Sequence, residues 1–161
     1  NTEGVTMTGT TGWIARVLVS ASGYVFSSAA ACLFLLLLKK GKHQWILWIL
    51  IAFAAVNLLL WVRNLYGIAW LVVFLVFLLY LLRAGSGTLV EYSILLITGI
   101  LLVESVSSAF QIMWLSLAQS SAAGDATNLA RATYIPAFIW GIGFFAQSLY
   151  FGGWAVLKWL K

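Results

Sequence analysis

From Tyr66 to Leu82 the chain carries no charged residue and is dominated by Leu, Val and Phe. Residues 13–38, 45–62, 89–117 and 134–160 are nearly as apolar. A helix needs about 20 apolar residues to cross the hydrocarbon core of a bilayer. Composition agrees: 63% of residues are hydrophobic and only 8% charged, against about 25% charged in a soluble domain. An ordinary cytosolic domain and a disordered chain are both excluded. The fold class expected is all-α, a polytopic membrane helix bundle with about five transmembrane helices over those ranges and residue 66–82. Lipid is the first partner implied.

Residues 1–12 differ from the rest. They are polar, and Val5 and Met7 alternate with Thr6 and Thr8 before Gly9 and Gly12. Alternation of that kind predicts a short strand hairpin, so the chain divides into a polar 1–12 segment and a 13–161 membrane domain. Spans two and three are separated only by Arg63-Asn64-Leu65. One unbroken helix there would be about 60 Å long, twice the roughly 30 Å core, so a tight helical hairpin is expected, with Gly67 easing the start of the third span. Gly23 and Ser27, four apart in the first span, form a small-residue face suited to close helix packing. In the 119–132 connection, Asp125 is placed to cap a short helix ending near Ala132. Pro136 falls in the first turn of the last span, where a missing amide costs little.

The net charge of +5 has no basic cluster with interleaved aromatics behind it, which argues against nucleic acid. It reads as topology. Lys39, Lys40, Lys42, Arg83, Lys158 and Lys161 fall on one side of five spans, and Arg16, Arg63 and Arg131 on the other. Six against three makes the first group cytoplasmic, the N-terminus exterior and the C-terminus interior. The single cysteine, Cys32, cannot form an internal disulfide.

The inventory of chemically able side chains is short: His43, Cys32, Asp125, Glu3, Glu91 and Glu104. A catalytic zinc site takes three protein ligands. His43, on a basic loop, and Asp125, on the opposite one, are not expected to meet, and His43 reads as a solvated loop residue. A hydrolase triad lacks its base, and Gly85-Ser86-Gly87 reads as a linker. Glu104 is the sharpest single residue. It sits mid-span, where a carboxylate is costly and functional by default. Ser108 and Gln111 follow on the same helical face, predicting an inward-pointing polar network that is either helix glue or the wall of a path. Gly143, Gln147 and Tyr150, followed by Gly152 and Gly153, make a comparable stripe on the last span, read as helix packing. Tryptophans near the span ends form an aromatic belt.

Several segments taken in order carry a resemblance. They are Glu3-Gly4-Val5-Thr6, Arg16 through Tyr24, Trp61-Val62-Arg63-Asn64-Leu65-Tyr66-Gly67, Gly124-Asp125-Ala126, and Thr133-Tyr134-Ile135-Pro136 with Trp140. The chain resembles the bacterial site-2-protease-like intramembrane zinc metalloproteases over nearly its whole length. The resemblance implies a His-Glu-x-x-His helix that supplies two zinc ligands and the general base, preceding a strand hairpin like that around Val5. It also implies a third ligand from a later carboxylate. The His-Glu-x-x-His helix is missing from this sequence. Asp125 is the nearest match to the late aspartate, so zinc is implied only if such a helix lies upstream of Asn1.

Three readings follow: the distal membrane domain of such a protease, inactive without the zinc-binding helix; a non-catalytic accessory or scaffold subunit of a larger membrane complex, photosynthetic or respiratory; or a small transporter using Glu104. The reading frame upstream of Asn1 discriminates the first two. The topology has its own test. A cysteine probe at Asp125 is expected to label from outside the cell and one at Lys42 to be protected; the reverse pattern overturns the orientation.

Overall fold

A computed structural model describes residues 13–85, 87–119 and 123–160 of the chain. Among the described residues every regular element is a helix: α1 (Trp13–Lys39), α2 (His43–Leu60), α3 (Leu65–Ala84), α4 (Thr88–Ala118), α5 (Asp125–Thr133) and α6 (Ala137–Leu160). The strand hairpin expected over residues 1–12 lies outside the described residues, and no strand occurs among those described.

Among the described residues four helices are long and apolar enough to cross a membrane: α1 over Val19–Lys39, α2, α3 and α4. They bury little of themselves, only 11% of the span window in α3. Trp48, Leu59, Val76, Leu96 and Ile100 stand exposed, a surface that suits lipid and not water. The fifth expected span, α6, has 24 residues, about 36 Å of helix. Its Gln147, Ser148, Tyr150 and interspersed glycines dilute its apolar character.

The chain divides into two compact units. One contains residues 31–101 and 154–161, the other residues 1–30 and 102–153. In the 31–101 unit, α2 and α3 pack as the expected hairpin. Its core joins Phe34 and Leu38 of α1, Ile46 and Leu47 of α2, Leu78 and Leu81 of α3, and Val90 and Ile94 of α4. The end of α6 belongs to the same unit, where Lys39 Nζ donates to the Lys158 carbonyl. The turn between α2 and α3 closes on a specific device. Asn64 is the N-cap of α3, and its side-chain oxygen accepts from the Gly67 amide.

In the other unit, two clusters hold α5 in place. Leu129 packs with Ala109 of α4 and Phe144 of α6; Ala126 packs with Ala123 and Ala137. Tyr24 of α1 stacks on Phe144 with ring centroids 4.9 Å apart, and Gln147 Nε2 donates to Ser28 Oγ at 2.7 Å. The packing face of α1 is therefore not the Gly23–Ser27 face. A Cβ on Gly23 would meet nothing within 4 Å, whereas Ser20 and Ser28 are buried. On α6, close approach falls at Gly141, whose added Cβ would strike Ser116 and the Met113 backbone, and at Gly152 against Leu102. Gly143 and Tyr150 of the expected stripe lie exposed.

The last span starts three residues later than expected. Tyr134 caps α5 in the left-handed region at φ 60°, and Pro136 precedes α6, its carbonyl accepting from the Ile139 amide at 3.0 Å.

A Cβ added at Gly67 would lie 2.7 Å from Asn64 Oδ1 and 2.8 Å from Val62 Cγ1. It would push the capping oxygen off the helix. Gly67→Ala is expected to destabilise the detergent-solubilised protein by about 1 kcal/mol, the worth of a lost cap. In an Asn64→Ala background, where the cap is already gone, the same change should cost less or even stabilise, because Ala is the better helix former. Additive losses in this double-mutant cycle would refute the capping account.

Candidate functional site

Helix α5 is short and lies outside the four span segments. Ala126, Thr127 and Leu129 are buried, while Asn128 and Arg131 face out. Its C-terminal turn is tied to α6: Trp140 Nε1 donates to Thr133 Oγ1 at 3.1 Å, and that hydroxyl donates to the Leu129 carbonyl at 2.7 Å. Held at both ends, α5 sets its first residue, Asp125, against α1.

Asp125 does not act as the helix cap expected of it. The N-cap is Gly124, at φ 48°, with no side-chain capping bond. The Asp125 carboxylate instead accepts from the Ser20 hydroxyl of α1. The left-handed Gly124 backbone turns the chain so that the acid projects toward the neighbouring helix rather than back over its own first amides. Asp125 is half-buried, and burial pushes its carboxyl above the ordinary carboxylate range, opposed by the Ser20 hydrogen bond. Desolvation outweighs one hydrogen bond because the charged form loses water on several sides. Tyr24, one helical turn beyond Ser20, lies within electrostatic range of the carboxylate. Asp125, Ser20 and Tyr24 thus form a small polar constellation on α1 and α5, able to hold a proton or donate an oxygen to a ligand. Sequence reasoning singled out Asp125 but not its two partners on α1. The available signal was that Ser20 and Tyr24 stand four apart, on one face.

The other residues fall elsewhere. Ser108 donates to Glu104 Oε1 at 2.9 Å, so that part of the α4 stripe is one connected pair. Glu104 and Gln111 are exposed, not turned into the bundle. His43 belongs to the 31–101 unit and is not a solvated loop residue. It opens α2, its Nε2 is buried without a hydrogen-bond partner, and it lines a cavity of about 490 Å³ with Lys42, Thr88 and Glu91. Among the described residues no group of three or more His, Cys, Asp or Glu side chains is positioned to hold a metal ion.

Residues 1–155 match the family model described as Peptidase M50B-like. The chain belongs to the Peptidase M50B-like family. No curated protein and no solved structure matches it. Membership agrees with the site-2-protease-like resemblance and makes the apolar helices those of an integral membrane protein. Within this M50B-like chain the matched region includes Asp125 and both of its partners on α1.

A carboxyl whose folded pKa is raised holds its proton more tightly folded than unfolded. That stabilisation is complete below the unfolded value, about 3.9 for Asp, and is lost as pH rises through the folded value. The thermal midpoint in detergent is therefore expected to fall as pH is raised from about 4 toward neutral. Asp125→Asn, which keeps an acceptor for Ser20, should flatten that slope. An unchanged slope would show that Asp125 is not the responsible group.

Proposed function

We propose that this chain is the membrane domain of an M50B-like intramembrane protease, with Asp125 as its functional carboxylate on the exterior side and membrane-embedded helices as its substrate class. The observation carrying this reading is the Asp125–Ser20 contact: an acid held half-buried at the margin of the spans, in the segment that resembles the late aspartate of the family. In this reading α6 is the fifth span. The bond from Lys39, at the end of α1, to the Lys158 carbonyl supports that assignment, because it returns α6 to the side where α1 ends. The C-terminus then shares the cytoplasmic side with the 39–44 loop.

The family implies zinc, and the residues described here do not make a zinc site. Asp125 offers one oxygen donor, and its described neighbours Ser20 and Tyr24 are not the His, Cys or carboxylate ligands such a site requires. Hydrolysis therefore requires a His-Glu-x-x-His helix from outside residues 1–161. That same observation favours a second reading, in which the chain is a non-catalytic scaffold built on the protease fold. The transporter reading is not carried further, since Glu104 stands on an exposed face.

Metal content separates the two. Residues 1–161 purified alone should hold no stoichiometric zinc. Coexpression with a membrane helix bearing His-Glu-x-x-His should yield about one zinc per complex, a three-ligand site, and Asp125→Ala should weaken its retention against a chelator. Zinc held equally well by the Asp125→Ala complex would remove Asp125 from the site. No zinc in any complex would favour the scaffold.

A further inference from the structure

Helix α4 has 31 residues, and a span needs about 20. Every 20-residue window of Thr88–Ala118 contains residues 99–107, so Glu104 lies in the hydrocarbon whichever window is used. It is nonetheless exposed, as are Gln111 two turns on and Leu115 beyond it. Ser107 and Ser108 are half-buried beside them. Ser108 occupies one acceptor position of the carboxylate, out of about four. No hydrogen bond from another described helix reaches it, and the side chain is exposed. A lipid tail offers nothing to the remaining acceptor positions, and an intramembrane carboxylate facing lipid is among the costliest arrangements a span can adopt.

We propose that the Glu104, Ser107, Ser108 and Gln111 strip of α4 is a docking surface for a separate transmembrane helix that presents a hydrogen-bond donor at mid-bilayer depth, such as Asn, Gln, His, Lys or Arg. Charge complementarity selects this occupant. The Glu104 carboxylate brings only acceptor positions to the strip, and Ser108 fills one of them. A second copy of the chain, related by a twofold axis along the membrane normal, would set Glu104 against Glu104, and two carboxylates sharing one site repel. Ser107 supports the contact sterically, since small residues let backbones approach closely in lipid. The inference rests on the placement of α4 in the membrane and is independent of Asp125 and of the proteolytic reading.

The test uses the full chain in liposomes with two labelled synthetic helices, one poly-Leu and one poly-Leu with a single central Asn. The peptide-to-lipid ratio is set so that each peptide alone is monomeric. Energy transfer is expected to report about three- to thirtyfold tighter association of the Asn helix, the range of interhelical hydrogen bonds in membranes. Glu104→Leu should abolish the preference, and because the residue is exposed this change should not impair folding. Glu104→Gln, which retains an acceptor, should keep most of it. Equal association of both peptides, or an unchanged preference in Glu104→Leu, overturns the proposal. Transfer between two labelled copies of the chain that Glu104→Leu abolishes would assign the strip to self-association and equally overturn it.

Discussion

Inside hydrocarbon a polar group has no water to fall back on, and everything else in this structure follows from that constraint. It commits the backbone to helices, and it shapes how the serines behave. Ser22, Ser27, Ser28, Ser105, Ser116 and Ser148 each donate to a carbonyl three or four residues earlier in their own helix. A hydroxyl satisfied in this way can sit at a helix–helix contact as a small residue without demanding a partner across it. The Cβ clash at Gly141 against Ser116 is an instance: two small residues meet, and the hydroxyl is already spoken for by Met113.

Against that background, three polar contacts between helices of the unit formed by residues 1–30 and 102–153 stand out. Gln147 reaches Ser28 from another helix, Asp125 takes the Ser20 hydroxyl, and Trp140 takes Thr133. Each spends a side chain on tertiary placement rather than on its own turn. Two of the three converge on α1, whose Ser20 and Ser28 lie two turns apart with Tyr24 between them. The α1 face that packs is thus defined by hydroxyls that serve neighbours. Gly23 is small but lacks a polar group to share, and it is left outward. Small residues of either kind let backbones approach in lipid; the serines of this face add a polar contact that Gly23 has no side chain to make.

How much of this was legible in the sequence follows the same line. The helices were, because apolar runs between charged or Gly-containing breaks have only one solution at bilayer thickness. The α2–α3 hairpin was legible by length alone, although the Asn64 cap on Gly67 was not recognised as the device that closes it. What could not be read was rotation. A span apolar on nearly all sides does not announce its packing face: Gly23 was chosen by size and stands exposed, while of the α6 stripe Gln147 and Gly152 do pack and Gly143 and Tyr150 do not. Glu104 and Ser108 were placed together correctly because i and i+4 is a property of one helix. The direction in which the pair faces is a property of several. Asp125 at a helix start is compatible with capping its own amides or with reaching a neighbour, and the sequence contains no term for the neighbour.

The carboxylates Asp125 and Glu104 show what burial by protein does and does not supply. Asp125 lies at the margin of the spans, half-buried, with a hydroxyl from another helix engaging it, and burial raises its affinity for a proton. Its environment is set by residues on α1 and α5 of its own chain, so its chemistry is largely determined locally. Glu104 lies deeper along its helix, yet its one described partner is a serine a single turn away on the same helix. That bond would form in an isolated α4 and fixes nothing about tertiary structure. A group so deep in the membrane and so weakly committed to its own fold carries unspent hydrogen-bonding capacity, and in a bilayer such capacity is relieved most directly by another helix.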